Sequence, residues 1–231
     1  MPRRPLLHRA SLLSGGALLC LLGLPACRPA PVRATETAAL PPEPAPAGIA
    51  ASTDTAVFAG GCFWGVEAVF EHLNGVSTAI SGFAGGKVRS PSYEEVSTGT
   101  TGHAESVLVV YDPSRISYDQ LLQVFFTVAH DPTQLDRQGP DVGSQYRSVV
   151  FYRTDAQRDA ARRYIAKLEA AKVYGRPIVT EVVPLERFNE AEAYHQDYLE
   201  HHPHQPYIVI NDAPKLEALA REFPGLYRKQ S

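Results

Sequence analysis

The chain is poor in sulfur. It holds three cysteines, Cys20, Cys27 and Cys62, and a single methionine, Met1. No cysteine follows Cys62, so nothing downstream can pair with it. A domain beginning after Cys27 has one thiol and no internal disulfide. Such a thiol either meets another molecule or is a reactive group. The missing methionine has two readings, resistance to oxidants and compositional drift in an Ala-, Arg- and Pro-rich chain. Basic charge is also in short supply. The 22 Lys and Arg face 25 Asp and Glu, a net −3. That leaves no basic face for a nucleic-acid partner. No internal repeat is visible.

What is present is ordinary globular composition, 44% hydrophobic and 20% charged over 231 residues. That suffices for one domain with a real core and is short for two.

Residues 1–26 read as a signal peptide outside the fold. Arg3, Arg4, His8 and Arg9 make a basic start, and an apolar run follows from Leu12 to Leu24. The run is too short for a membrane span. It ends in Leu24-Pro25-Ala26-Cys27, which resembles a bacterial lipobox with Pro25 in place of the usual small residue. Cys27 would then be the lipidated first residue; the alternative is plain cleavage further on. Arg3-Arg4 bears a faint resemblance to a twin-arginine export signal, but paired arginines are also common in plain secretion signals, so that route is a minor alternative. Loss of Arg3, Arg4 and Arg9 leaves 19 cations against 25 acids, a net −6. A surface of that sign favours solubility over adhesion to anionic lipid. Residues 27–53 carry Pro29, Pro31, Pro41, Pro42, Pro44 and Pro46 without apolar periodicity and read as an extended tether. At polyproline extension it reaches on the order of 75 Å. Residues 54–231 are the expected domain. The expected location is outside the cytoplasm, periplasmic or held as a lipoprotein of the bacterial envelope.

Within the domain, strands are expected at Thr55–Ala59, Val76–Phe83, Glu105–Tyr111, Gln145–Tyr152 and Ile178–Val183. Helices are expected at Cys62–Leu73, Tyr118–Ala129 after the cap Ser117, Asp155–Lys172, Asn189–His201 and Leu216–Glu222. The interleaving lacks regular βαβ units. It favours an α+β class with one mixed sheet covered by helices.

Gly60-Gly61-Cys62-Phe63-Trp64-Gly65 falls at a strand-to-helix junction. A cysteine in a first helical turn meets unpaired N–H groups and the positive dipole end, which favour thiolate. The glycines permit a sharp turn and close approach of a substrate. Phe63 and Trp64 offer an aromatic wall on which a sulfur-bound methyl packs well. A buried structural cysteine with core aromatics is the alternative.

These residues resemble the peptide methionine sulfoxide reductase A family, whose signature is GCFWG after a short strand. Further segments extend the match: Ser81-Gly82-Phe83-Ala84-Gly85-Gly86, Pro91 to Val96, Gly99 to Glu105, Val110-Tyr111-Asp112-Pro113, His130-Asp131-Pro132-Thr133, Gln138 to Ser148, and Ala193 to Leu199. Phe83 stands where the family often has tyrosine. The likeness spans roughly residues 54–225 and implies a single two-layer domain with a ferredoxin-like core. It implies reduction of methionine S-sulfoxide, free or in proteins. Cys62 would attack the sulfoxide sulfur and Glu105 would protonate the oxygen. Tyr93 and Tyr146 would hold that oxygen, Asp141 would support the site by hydrogen bonding, and Phe63 and Trp64 would receive the methyl group.

The chemistry fits those residue types. A sulfoxide oxygen leaves poorly unless protonated, so the acid must hold its proton near neutral pH, as a carboxyl in an apolar pocket can. Phenols are neutral donors to developing negative charge. Attack leaves a sulfenic acid on Cys62. Many family members carry resolving cysteines near the C-terminus; this chain has none. The implied enzyme uses one cysteine and no cofactor. An outside thiol, such as a thioredoxin-like or glutaredoxin-like protein or a small thiol, would reduce it.

His195, His201, His202 and His204 crowd one segment, without a thiolate or spaced carboxylate in a metal-binding pattern. They read as surface histidines, and no metal is expected. His103-Ala104-Glu105 lacks the P-C-x-x-C that zinc deaminases pair with H-x-E. Two rival readings are a non-catalytic lipoprotein of the same fold and a peroxidase. Joint presence of Cys62, Glu105, Tyr93 and Tyr146 opposes the first, and the methyl-sized aromatic pocket opposes the second. No heptad or interface helix is evident, so a monomer is expected.

Overall fold

The central strand, β1 (Asp54–Gly60), is Thr-Ala-Val-Phe-Ala-rich and wholly buried from Ala56 to Ala59. The computed structural model describes residues 53–229. The expected signal segment and the tether, apart from Thr53, lie outside the described residues.

Side chains along β1 alternate between two faces, as strand geometry requires. Ala56 and Phe58 enter a large core, and Val57 and Ala59 a small one. Helix α1 (Phe63–Glu71) follows immediately, then β2 (Val76–Ala84) and the short α2 (Tyr93–Ser97). Ser92 and Glu95 close a reciprocal capping box around α2. Strand β3 (Ala104–Tyr111) leads to α3 (Tyr118–Val124), whose cap is Ser117 as expected. A π-helical turn, Phe125–Ala129, continues it to the expected end. A two-residue hairpin, β4 (Arg137–Gln138) and β5 (Asp141–Val142), precedes a 3-10 turn at Ser144–Tyr146. Then come β6 (Ser148–Tyr152), α4 (Asp155–Ala170), β7 (Glu181–Pro184) and β8 (Phe188–Glu190). The chain closes through a 3-10 turn at Ala193–His195, α5 (Tyr198–His201), a π-helical turn at Ile208–Asp212 and α6 (Ala213–Glu222).

The main sheet has six strands in the order β7-β6-β1-β3-β2-β8. All neighbours are antiparallel except β6 and β7, so the sheet is mixed. The inner order β6-β1-β3-β2, with α1 joining β1 to β2 and α3 lying between β3 and β6, is the ferredoxin-like core. Residues from α1, α3, α4 and α6 all join the large core. The small core on the opposite face, around Val149 and Phe151, holds strand residues covered by Val183, Leu185 and Phe188. One helical layer on one sheet is the α+β arrangement expected.

Phe58 organises the large core. Its ring stacks on Phe70 at 5.1 Å and on Phe125 at 4.8 Å. Each such fully buried ring stabilises the fold by about 1.5–3 kcal/mol.

Three expectations need correction. The strand expected from Ile178 to Val183 begins only at Glu181 and runs to Pro184. No helix starts at Asn189. That residue lies in β8 opposite Phe83, extending the sheet edge, and only short turns follow before α5. Gln145 does not belong to a strand either; it sits in the 3-10 turn that re-aims the chain before β6.

Candidate active site

Cys62 is the N-cap of α1; the residue is 8% exposed and its thiol is free. Gly61 makes the turn into it at φ +94°, a conformation that excludes L side chains, and a Cβ there would lie 2.5 Å from Gln138. Gly65 is constrained by space alone. A Cβ on it would overlap the buried Asp212 carboxylate and come within 2.7 Å of Lys215 Nζ.

The environment does not favour a resting thiolate. Burial pushes the Cys62 thiol well above its ordinary value, and the nearby carboxylates Glu105 and Asp212 push it further. The Trp64 backbone N–H and Lys215 act in the opposite direction and are outweighed. The helix N-terminus does what its dipole requires, but desolvation is the larger effect.

Glu105 stands on β3 opposite Phe83 and is 2% exposed. It is not a solvated strand-end carboxylate. Its Oε2 accepts the Phe63 backbone N–H at 3.0 Å, which places it against the residue next to Cys62. Burial, with lesser repulsion from Asp141 and Asp212, pushes its carboxyl up to about 8. At neutral pH it therefore keeps its proton.

Tyr93 opens α2, with its ring 6.4 Å from Phe63, and its backbone N–H donates to Glu192 Oε1 at 2.9 Å. Tyr146 ends the 3-10 turn after β5. Burial and the proximity of Glu105 hold both phenols above their ordinary value, so both remain proton donors. For Tyr146 the neighbouring charges include Tyr93, Asp141 and Cys62 as well, so these side chains share one site.

Phe63 is buried and Trp64 half-buried, their ring centroids 6.5 Å apart. Trp64 stacks flat on Tyr198 at 3.7 Å and 6°. The Tyr207 ring meets it edge-on at 5.9 Å. Tyr207 also donates its hydroxyl to Asp141 Oδ2. Asp141 thus reaches the site through a tyrosine that the sequence reading missed. Asp212, fully buried and paired with Lys215 Nζ at 3.0 Å, was missed too. Neither carried a local signal; both come from the C-terminal π-helical turn and the residue before it. All seven residues expected at the site are therefore gathered around the start of α1. His195 is a correction in the other direction. It is 1% exposed, not at the surface. Among the described residues, no group of three or more His, Cys, Asp or Glu side chains is arranged to hold a metal ion.

A buried thiol beside a proton-holding carboxyl and neutral phenols, with aromatics on the adjoining wall, defines a thiol-dependent oxidoreductase of α+β class. The model of the family "Peptide methionine sulfoxide reductase" matches residues 54–225. A Mesorhizobium japonicum protein named peptide methionine sulfoxide reductase MsrA 2 is 54% identical over 181 residues, covering 78% of this chain and 93% of that protein. A Natronomonas pharaonis protein named peptide methionine sulfoxide reductase MsrA is 53% identical over 171 residues, 74% of this chain and 96% of the other. Among solved structures, reduced Mxr1 from Saccharomyces cerevisiae is similar at TM-score 0.62 and 34% identity, over 66% of this chain and 87% of that one. Methionine sulfoxide reductase A of Corynebacterium diphtheriae is similar at TM-score 0.58 and 39% identity, over 67% and 78%. The chain belongs to the peptide methionine sulfoxide reductase family.

Proposed function

We propose that this protein reduces the S epimer of methionine sulfoxide, free or in proteins, with Cys62 as nucleophile and Glu105 as acid. The observation that carries the reading is the Glu105 carboxyl bound to the Phe63 N–H beside Cys62, its proton kept to about pH 8.

Phe63 and Trp64 take the sulfoxide's methyl group, and Tyr93 and Tyr146 donate to its oxygen. Glu105 transfers its proton to that oxygen. The positive charge this places on the substrate sulfur favours release of the Cys62 thiol proton, because an opposite charge stabilises the thiolate, and the now ionised Glu105 carboxylate takes that proton up. The Cys62 sulfur then bonds to the substrate sulfur. The S–O bond breaks as the oxygen passes, as hydroxide, to the Cys62 sulfur; the S–S bond breaks with its electron pair staying on the methionine sulfur, so methionine leaves and Cys62 remains as sulfenic acid. Thiol plus sulfoxide gives sulfenic acid plus thioether, with two electrons moving from Cys62 to substrate. Tyr207, edge-on to Trp64, donates to Asp141 and braces the site.

With no cysteine after Cys62, an outside thiol condenses with the sulfenic acid, releasing water, and a second thiol frees Cys62. A thioredoxin-like or glutaredoxin-like protein supplies these thiols, and no prosthetic group is needed. Residues 1–26 act as an export signal and 27–53 as a tether for the domain at 54–231. Cys27 carries the lipid anchor, and the domain works as a monomer in the bacterial envelope. The basic start, apolar run and lipobox-like end support that location.

A single-turnover experiment tests the chemistry. Reduced protein given S-sulfoxide without added thiol should form one methionine per chain and leave a sulfenic acid on Cys62 that dimedone traps. An intramolecular disulfide in the oxidised product would contradict the one-cysteine scheme.

A further inference from the structure

His195 sits where the aromatic wall and the phenol meet. Its ring centroid lies 5.0 Å from Phe63, 5.9 Å from Trp64 and 4.3 Å from Tyr93. The Trp64 Nε1–H donates to His195 Nδ1 at 3.1 Å. An indole N–H can only donate, so Nδ1 carries a lone pair and the neutral ring bears its proton on Nε2. Nε2 is buried without a hydrogen-bond partner. A group so buried and half-satisfied is costly, so the ring is held there by its other contacts.

Burial keeps this imidazole below its ordinary value, while Glu192 and Glu94 pull the other way. The other titratable groups facing it are the phenols of Tyr93 and Tyr194, with ring centroids 4.3 Å and 4.1 Å away. Protonation would put a hydrogen on Nδ1 and break the bond to Trp64. The neutral ring is therefore the one that fits this geometry.

We propose that His195 is a positioning residue for the sulfoxide reaction: its unprotonated Nδ1 fixes the Trp64 indole, and its ring spaces Trp64, Phe63 and Tyr93 as one wall of the site. The inference rests on the reading above, in which those three side chains meet the substrate. His195 touches none of the reacting atoms. Its effect passes through the indole, clamped on its face by Tyr198 and at its N–H by His195. Small misplacement of such a wall weakens capture of the substrate and lowers kcat/KM steeply.

The test uses the fact that Trp64 is the only tryptophan in the chain. A ¹⁵N-labelled protein gives one indole signal, and that signal reports the bond directly. Asparagine can place an oxygen where Nδ1 stands; glutamine places its amide nearer Nε2; phenylalanine has no acceptor. The indole signal should stay near the wild-type position in His195→Asn and move in His195→Gln and His195→Phe. Values of kcat/KM should fall about 10- to 100-fold in the latter two, chiefly through KM, and recover in His195→Asn. An unmoved indole signal in His195→Phe overturns the proposal. So does unchanged kcat/KM in that variant, or an asparagine variant as impaired as the phenylalanine one. If the variants do not fold, the imidazole ¹⁵N spectrum of the wild type decides: a protonated Nδ1 overturns the proposal, a bare one sustains it. Absence of sulfoxide turnover by the wild type would instead defeat the functional reading, and the indole and imidazole signals would still separate the two failures.

Discussion

Replacing Glu105 by glutamine should raise stability and abolish most activity, and the stability gain should depend on pH. The carboxyl holds its proton in the fold to about pH 8, against an ordinary value of 4.5. Below pH 4.5 folded and unfolded chains are both protonated and Glu105 imposes no penalty. As pH rises, the unfolded chain gains by ionising while the folded one does not, and stability falls until pH passes about 8. At 1.36 kcal/mol per pH unit the loss is about 3 kcal/mol at pH 7 and levels off near about 5 kcal/mol. The Cys62 thiol, held well above 9, does not titrate in this window. Glutamine has nearly the same shape, does not titrate, and its carbonyl can keep the Phe63 N–H bond. Denaturant unfolding of both proteins at pH 4, 6, 7 and 8 would measure the difference. Near equality at pH 4, opening to about 3 kcal/mol in favour of Glu105→Gln at pH 7, is expected. Turnover should drop about 10²- to 10⁴-fold for loss of the acid. A stability difference that does not change with pH would refute the reasoning, whatever happens to activity.

Other outcomes follow from the same geometry. Glu67 on α1 is 1% exposed, accepts the Ser81 N–H at 3.1 Å and is pushed up to about 8 by burial. Glu67→Gln should also gain stability between pH 4.5 and 8 but leave kcat/KM within about twofold; a catalytic loss would place Glu67 in the site after all. Gly65→Ala drives a methyl into Asp212 and Lys215, so unfolding experiments should show a loss of about 1–3 kcal/mol, and an unchanged midpoint would mean α1 can shift freely. Tyr207→Phe removes the hydroxyl donated to Asp141. Steady-state kinetics should show kcat/KM about tenfold lower, and wild-type kinetics would remove Tyr207 and Asp141 from the supporting structure.

The sequence made the catalytic junction readable because its signals are local. Glycines before Cys62 and aromatics after it sit at a strand-to-helix boundary, and β1 and β3 show their apolar runs plainly. The α2 capping box is equally local, with Ser92 and Glu95 three residues apart in the sequence. The C-terminal third resisted reading. Asn189 resembles a helix cap, yet it pairs with β2, because edge pairing with Phe83 outweighs a weak local preference. Tyr207 and Asp212 reach the site through tertiary packing, 66 residues from Asp141 in the first case, where no periodicity points. His195 was hidden by three exposed histidines near it. The resting protonation of Cys62 is not legible for a related reason: the helix N-terminus is visible in sequence, but the burial that outweighs it is not.

The most direct measurement is methionine formed from each sulfoxide epimer by the purified protein with dithiothreitol, beside Cys62→Ser. Turnover of the S epimer alone, absent from the serine variant, is the expected result. A folded, reduced wild-type protein that converts neither epimer, or a serine variant that still converts the S epimer, would contradict the assignment of Cys62 as the nucleophile of a sulfoxide reductase.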